Sequence, residues 1–566
     1  MSHSISMSRR QTILETLLIF AVFCLQGAWP VPEVNEPYYL GKAIHYWNPH
    51  WASSDWFLQT PDTHVVFYFS VGWLALILKP TALAWTIRLL TWALLAWSWQ
   101  RLSRAVVPKD WTSVLTATLF VFLLQHYNMA GEWVVGGAEA KGFAFALVFL
   151  ALEAMVEGYW NRMWLLLGFA SALHILVGGW AAIAAGAVWM GRNWTFSPRT
   201  AGECPPTTSG PAKRLPGLVP QPSSLVAPLV AFMLALLGIV PALLMNGGLD
   251  PATAVLANKI YVFERFPHHL DPVKFWADGF VLPFLWIAAL WLLLWPTAAD
   301  SPGARRLRGF TAVAVVIALI GVAISLLSFH NRALAAGWMR FYWYRLVDVA
   351  IPLGLALLSV RWFVERKMRF ALILVTTTAV FHAVDCAVLK MFSDPPFADR
   401  QVDGVAWRSA CLWASGRAER PSFPRKSRAD KLRNFGDWLD ICRWVSDPQN
   451  TPPDARFLIP RLAFTFKWYA GRGEVVNWKE APQDAASLVK WSERIQDIYA
   501  TGRPPPADKY YSSLADAGAA KLCELAKKYE ADYLVTQAGV TTLPLPVAYV
   551  SKNASYVVYD MRRKRT

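Results

Sequence analysis

The six cysteines of this 566-residue chain are scattered, and no two of them form a CxxC pair. A zinc or redox site built from cysteines therefore has no support in the sequence. Cys411, Cys442 and Cys523 fall in the C-terminal part, where one disulfide of undefined pairing is compatible with the sequence. That part also lacks a GxGxxG motif, a P-loop and a GxSxG serine elbow, so we assign it no cofactor or catalysis of its own.

The chain also lacks a dense basic run beside a nucleic-acid-binding motif. Its formal net charge is +16, but the basic residues are spread over short inter-helix loops and the C-terminal part, which excludes a nucleic-acid partner as the working interpretation. No small-residue cleavage site follows the first apolar stretch near Gly27, so we expect a retained first helix and not a signal peptide.

Hydrophobic residues, by contrast, make up 55% of the chain, and 30 residues are tryptophan. With a mean hydropathy of +0.30, this composition predicts an α-helical polytopic membrane protein with about eleven transmembrane helices, because indole rings favour the membrane interface. The apolar stretches are Gln11–Trp29, Val65–Leu78, Thr81–Trp99, Trp111–Gln125, Phe143–Met155, Met163–Met190, Leu225–Met245, Phe275–Trp295, Phe310–Leu327, Phe341–Val360 and Phe370–Met391.

Lysine and arginine in short loops predict the orientation of these helices. Five basic segments should face the cytoplasm: Arg9–Arg10, Arg101–Lys109, Arg192–Arg214, Arg305–Arg308 and Arg361–Arg369. All five do so if Val65–Leu78 dips into the membrane without crossing it and Met163–Met190 forms a two-helix hairpin. Residues 31–64, 129–142, 246–274 and everything after Ser393 then lie on the outer face. If Val65–Leu78 crosses instead, the loop at Arg101 moves outward and breaks the rule.

The composition changes near Ser393, where charged residues and proline become common. We therefore divide the chain into a transmembrane domain, residues 1–391, and an extracytoplasmic soluble α/β domain, residues 392–566. The patterns predict helices at Asp437–Ser446, Ala485–Tyr499 and Ala519–Tyr529, and strands at Arg456–Ile459, Glu474–Trp478, Tyr533–Thr536 and Tyr556–Tyr559.

The predicted outer-face segments gather acids and bases that suit an anionic, lipid-linked substrate. Arginine clamps a phosphate, while a carboxylate takes a proton from an acceptor hydroxyl. The candidates are Glu36, Glu132, Glu139, Lys141, Arg265, His268, His269, Arg340 and Arg345. Simpler roles remain open: solvated acids in an interfacial loop, arginines that snorkel to the interface, a buried and satisfied His174, and a structural helix ion pair between Arg345 and Asp348. Adjacent histidines are poor joint metal ligands, so His268 and His269 alone do not predict a metal site.

Several features of the sequence resemble the GT-C superfamily of polytopic glycosyltransferases, which use polyprenyl-phosphate sugars. They are NEPYYLGKA after the first span, a dipping aromatic stretch, an RLL-containing next helix, an acidic second loop and a C-terminal α/β domain. Protein O-mannosyltransferases and the lipid A aminoarabinose transferase belong to that superfamily. The strings GEWVVGGAEAKGFAF, RFPHHLDP, MRFYWYRLVD and NTPPDARFLIP are similar to an uncharacterised bacterial branch of it.

The resemblance implies a role for some of these residues. Glu36 takes the place of the first-loop acid that serves as general base, and Glu139 or Glu132 that of the second-loop acid. Arg265, Arg340 or Arg345 would hold the lipid phosphate, with His268 and His269 beside them. The family usually has Asp or Asp-Glu where this chain has Asn35-Glu36, so a divalent metal is left open and no other cofactor is expected.

We therefore expect a glycosyltransferase of the bacterial inner membrane that transfers a sugar from a polyprenyl-phosphate donor to an unidentified acceptor at the outer face, in contact with membrane lipids. A transporter or flippase for an anionic lipid or glycan is the main alternative, and it predicts charges that line a path across the bilayer together with internal repeats. No half-to-half repeat is evident in the sequence. A non-catalytic membrane protein is the third hypothesis.

Overall fold

The computed structural model of the chain describes residues 9–191, 223–298, 301–391, 427–503, 509–538 and 541–562. Its N-terminal part is helical: α1 Arg9–Gly27, α2 Glu36–Trp47, α3 Val65–Gly72, α4 Pro80–Val106, α5 Thr112–Tyr127, α6 Ala140–Glu157, α7 Trp160–Leu173, α8 Ile175–Gly191, α9 Ser223–Leu244, α10 Pro251–Lys259, α11 Pro267–Leu270, α12 Pro272–Ala277, α13 Val281–Leu293, α14 Pro302–Leu326, α15 Arg332–Met339, α16 Arg345–Glu365 and α17 Arg369–Met391. The predicted loop Arg192–Arg214, Cys204, Cys411 and the predicted domain boundary at residue 392 lie outside the described residues.

Among the described residues, four helices are long and apolar enough to cross a membrane: Leu225–Leu244, Pro302–Phe329, Arg345–Glu365 and Arg369–Met391. The expected helical membrane protein is therefore supported, while the count of about eleven spans stays a prediction. Val65–Leu76 is one of the shorter apolar helices, and at about 1.5 Å per residue it is well short of the roughly 30 Å hydrocarbon core. This length favours the predicted dip without establishing it.

Helix α16 is the centre of the bundle, because its sequence is apolar on all sides. In the most apolar 18-residue stretch of α16, 78% of the residues are buried, whereas only 17% are buried in the corresponding stretches of Leu225–Leu244 and Arg369–Met391. Helix α16 packs against α5, α13 and α14. The two less buried helices expose leucine, valine and phenylalanine side chains, as expected of surfaces that face lipid.

The predicted division of Met163–Met190 into two short helices is confirmed. Helices α7 and α8 are separated by His174 alone. The two helices pack tightly, because a Cβ on Gly178 would lie 2.2 Å from the backbone nitrogen of Ser171. Only glycine allows so close an approach of two helix backbones.

The C-terminal domain contains helices α18 Arg428–Ser446, α19 Phe466–Ala470, α20 Ala485–Tyr499 and α21 Ala519–Lys528, and strands β1 Arg456–Leu458, β2 Gly473–Glu474, β3 Tyr533–Gln537, β4 Val547–Val550 and β5 Tyr556–Asp560. The sheet order is β2-β1-β3-β5-β4. Strand β1 is parallel to β2 and β3, and β5 is antiparallel to β3 and β4. The predicted mixture of helices and short strands is therefore present, in a small mixed sheet.

The element boundaries differ from the predictions in specific places. The predicted strand Glu474–Trp478 pairs only at Gly473–Glu474, because Asn477 turns back to bond Glu474 and the chain leaves the sheet. Helix α19 and strand β4 were not predicted. Strand β4 is an edge strand with exposed Val547 and Val550, so the alternation that marks a half-buried strand is missing. Cys442 and Cys523 are free thiols.

Candidate functional site

Glu36 lies at the first position of α2, where the loop after α1 meets the second loop. Arg88 of α4 donates two hydrogen bonds to its carboxylate, from Nε to Oε1 at 2.6 Å and from Nη2 to Oε2 at 2.8 Å. The backbone N–H groups of Ala138 and Glu33 donate at 2.8 Å each. Glu36 and Arg88 are both 0% exposed. This pair therefore connects α2, α4 and the second loop.

This environment does not fit the general-base role expected of Glu36. Both carboxylate oxygens already accept two hydrogen bonds each, one of them from a guanidinium. Four donors on one carboxylate hold it in place and leave little room for a further hydrogen bond. Glu36 is consequently suited to position the loops around the site.

The other predicted acids form a chain of alternating charges with two cations. Lys141 Nζ lies 3.5 Å from Glu139 Oε2 and 3.1 Å from Glu132 Oε1. Glu132 Oε2 in turn lies 2.5 Å from Arg345 Nε at the start of α16. Asn35, beside Glu36, donates to Glu139 Oε1 at 2.7 Å. The structure thus brings predicted residues from the first loop, the second loop and α16 into one charge-balanced network.

Within this network Glu139 is the carboxylate best placed to exchange a proton. It is 2% exposed, and burial raises its pKa above the ordinary range, against the opposing effect of Lys141. Among the described residues, its Oε2 oxygen has only the long contact with Lys141. A carboxyl with a raised pKa binds a proton more readily, as a general base requires.

The expected ion pair between Arg345 and Asp348 is wrong. Asp348 instead accepts hydrogen bonds from the backbone N–H groups of Met129, Ala130 and Glu132, at 2.8, 2.8 and 3.2 Å. These donors lie in a buried turn of the second loop, and leaving them unpaired would cost free energy, so the carboxylate is held by them while Arg345 turns to Glu132. The buried His174 is satisfied as expected, because its Nδ1 accepts from the Val177 N–H at 3.3 Å.

The third loop contacts the same region through its histidine and arginine residues. His269 Nδ1 donates to the Ala130 carbonyl at 2.6 Å, whereas His268 is exposed. The Tyr261 and Tyr342 hydroxyls lie 3.1 Å apart. The predicted arginines surround this tyrosine pair: Arg345 lies over the Tyr342 ring at 4.1 Å, Arg340 lies 5.9 Å from Tyr261, and Arg265 lies over Phe266, whose ring is 4.7 Å from Tyr261.

The three arginines differ in what neutralises them. Arg345 pairs with Glu132, and Arg340 donates to the Asn258 side chain at 2.7 Å. Within the described ranges, Arg265 donates only to the Lys479 carbonyl, at 3.2 Å, and its buried Nε has no hydrogen-bond partner. Burial lowers the pKa of Arg265 to about 10, and no carboxylate opposes that effect. Arg265 is thus the predicted phosphate ligand with the least internal compensation.

A second buried cluster joins the first loop to the C-terminal domain. Lys467 of α19 lies 2.9 Å from Asp55 Oδ2 and 3.3 Å from Glu474 Oε1, and it also pairs with Glu480. All four side chains are nearly inaccessible. This cluster was not predicted, because nothing in a single sequence connects Asp55 with residues about four hundred positions later.

Asp55, Glu474 and Glu480 are also the only described acids that approach one another closely enough to share a metal ion, with ligand oxygens within 4.8 Å. Three carboxylates suit Mg²⁺ or Mn²⁺ chemically. Lys467 Nζ, however, contacts all three acids, so its ammonium group already occupies the position that a metal ion would take. The cluster does not fit a metal, and the divalent metal left open by the sequence gains no support from the described residues.

Comparisons with known proteins give a family match for one part of the chain and two similar solved structures. Residues 436–498 match a domain of unknown function, DUF6798. No curated protein matches the sequence. Two structures of an oligosaccharyltransferase from Archaeoglobus fulgidus are similar: AglB with an inhibitory peptide and a dolichol-phosphate at 11% identity, and a complex with zinc and sulfate at 13%. Each alignment covers 93% of this chain, and 69% and 67% of the other chains. With a TM-score of 0.39 in both cases, the likeness carries no argument about activity.

Proposed function

We propose that this protein is a membrane glycosyltransferase that transfers a sugar from a polyprenyl-phosphate donor to an acceptor at the outer face of the bacterial inner membrane. One observation carries the proposal. Glu139 is a buried carboxyl group with a raised pKa, and Arg265 is a buried arginine that pairs with no carboxylate among the described residues. A series of contacts connects the two through Lys141, Glu132, Arg345, the Tyr261–Tyr342 pair and Phe266. The two groups supply the proton acceptor and the phosphate contact that the reaction requires.

The reaction balances with these two groups. An acceptor hydroxyl attacks the anomeric carbon of the sugar, and the bond between that carbon and the phosphate oxygen breaks. The bonding electron pair stays on the phosphate oxygen, so a phosphodiester becomes a phosphate monoester with one more negative charge. Glu139 takes the proton of the acceptor hydroxyl. Arg265 stabilises the charge that develops on the leaving phosphate.

The remaining residues of the network position this pair. Lys141 lies over the Trp133 ring at 3.7 Å and bridges Glu132 and Glu139. The Glu36–Arg88 pair fixes the first loop against the second. Because Glu139 is only 2% exposed, an acceptor reaches it only when one of the covering segments moves.

The test is the Glu139→Gln variant, assayed in proteoliposomes for release of polyprenyl phosphate from radiolabelled polyprenyl-phosphate sugars. Loss of a general base lowers turnover by about a hundredfold or more, whereas donor binding should persist. Glu264→Gln is the matched control, since Glu264 is an exposed acid of the third loop. Turnover that survives Glu139→Gln and falls only with Glu36→Gln would return the base role to Glu36.

Lack of sugar release from the wild type, combined with movement of labelled lipid between leaflets, would instead support the transporter hypothesis. If the wild type shows neither sugar release nor lipid movement, the hypothesis of a non-catalytic membrane protein is supported.

A further inference from the structure

Two arginine side chains from distant parts of the chain share one aromatic cluster, and Lys479 adjoins one of them. Arg265 comes from the third loop, and Arg461 and Lys479 come from the C-terminal domain. The guanidinium groups of Arg265 and Arg461 each lie 5.5 Å from the Trp478 ring, and Arg461 also lies 4.4 Å from the Tyr510 ring. The Lys479 carbonyl accepts the Arg265 hydrogen bond.

No described carboxylate neutralises these three groups. Throughout the described ranges, none of the three forms an ion pair with an acid. Arg265 is 7% exposed, and its Nε lacks a hydrogen-bond partner among the residues that the structure describes. Burial lowers the pKa of Arg461, and burial together with Arg265 lowers the pKa of Lys479 to about 8. The cluster therefore holds an excess of positive charge in a largely desolvated place.

Buried charges are normally paired, because taking an isolated ion out of water costs several kcal/mol. A lysine can escape this cost by losing its proton, but an arginine keeps its charge under physiological conditions. Arg461 and Lys479 are half-buried, which leaves a route for an anion from solvent. Because no described acid pairs with these groups, an external anion would remove the imbalance.

We propose that Arg265, Arg461 and Lys479 form a binding site for a phosphate monoester, so that the C-terminal domain supplies part of the substrate site. Guanidinium groups on fixed aromatic faces present their N–H edges to phosphate oxygens, and the lysine adds a point charge. Two sources share this chemistry: the headgroup of a polyprenyl phosphate and a soluble phosphate. The identification of the lipid source rests on the proposed function, whereas the phosphate site itself does not.

Under the proposed function, this site acts on the leaving group. The phosphodiester donor carries one negative charge, and the phosphate monoester that leaves carries more. A site with three cations binds the more highly charged form more tightly, and this difference favours bond breaking. Arg461 and Lys479 thereby become specificity-determining residues of the C-terminal domain.

The test measures binding by isothermal titration calorimetry on the full-length protein in detergent, after removal of bound lipid. The probes are inorganic phosphate and a short-chain polyprenyl monophosphate. We expect Lys479→Ala to weaken binding about tenfold, the loss of one charged hydrogen bond. Arg461→Gln should have a similar effect. Lys490→Ala is the control, because Lys490 is an exposed lysine of the same domain, and it should bind like the wild type.

Binding of both probes, weakened alike by Lys479→Ala, supports the site and identifies a lipid headgroup as its ligand. Binding of inorganic phosphate alone supports the site with a soluble ligand. Absence of binding for both probes, or binding unchanged in both Lys479→Ala and Arg461→Gln, overturns the proposal. Because the assay requires no turnover, phosphate binding in a protein that lacks transferase activity would refute the proposed function and leave the site intact.

Discussion

The segment from Arg461 to Glu480 contributes to two charged clusters whose excess charges are opposite in sign. On one side, Lys467 faces Asp55, Glu474 and Glu480, so negative charge is in excess. On the other, Arg461 and Lys479 join Arg265 around Trp478, and positive charge is in excess. The first cluster contains a cation of its own, whereas the second has no acid among the described residues. The first is therefore suited to hold the domain in place and the second to bind a ligand.

The chemistry of the ionisable groups explains why the two imbalances differ in consequence. A carboxyl group can relieve excess negative charge by keeping a proton, and burial raises the pKa of both Glu474 and Glu480. An arginine has no such escape under physiological conditions. With Lys467 in place, the acidic cluster can thus be stable without an external ligand, while the basic cluster stays unfavourable until an anion binds.

The largest expected effect comes from Lys467→Met, which keeps the length of the side chain but removes the only cation of the acidic cluster. Removing one partner of a buried ion pair costs about 3–5 kcal/mol. We expect a strongly lowered unfolding temperature and faster hydrogen exchange in residues 52–58 and 473–480. Lys490→Met, at an exposed position, should change stability by less than about 0.5 kcal/mol. Equal stability of the two variants would mean that the cluster does not hold the domain.

How far the sequence predicts these clusters depends on the distance along the chain that separates their members. Apolar stretches and amphipathic patterns are local, so the helix pair around His174 and helix Ala485–Tyr499 were predicted closely. Glu36 and Glu139 stood out because they follow or precede apolar segments. The contact partners of the predicted site residues were not predicted, because they are distant in the sequence. Arg88 is 52 positions from Glu36, and Lys479 is 214 positions from Arg265. Pairing of this kind is a property of the tertiary fold and leaves no pattern in one sequence.

A second prediction concerns Arg265→Met, which should have the opposite sign to Lys467→Met. Methionine fills a similar space against Phe266 and Trp478 without an unpaired charge, so the ligand-free protein should gain about 1–2 kcal/mol of stability. Phosphate binding should be lost at the same time, the trade-off typical of functional sites. The measurement is thermal unfolding after removal of bound lipid, paired with phosphate titration.

Arg472→Met provides the control for that prediction. Arg472 is also a buried arginine, but it donates hydrogen bonds to Thr451 Oγ1, the Thr451 carbonyl and the Ser446 carbonyl at 3.2, 3.0 and 3.2 Å. Its replacement should destabilise the protein, because three acceptors lose a donor. If Arg265→Met destabilises the ligand-free protein to the same extent, Arg265 is a structural residue and the contrast between the clusters does not hold.

The smallest expected effect is a pH dependence that separates Lys479 from its arginine neighbours. The pKa of Lys479 is lowered to about 8 by burial and by Arg265, so the lysine loses its charge as the pH rises from about 7 to about 9. Sulfate keeps a constant charge over this range, and its affinity should therefore fall by up to about tenfold, the full contribution of Lys479. Lys479→Arg should abolish the change, since a guanidinium group does not titrate there. A decline in affinity of equal size in both proteins would assign the pH dependence to another group and remove Lys479 from the site. A decline that is present in the wild type and absent in Lys479→Arg would place the lysine charge at the bound anion.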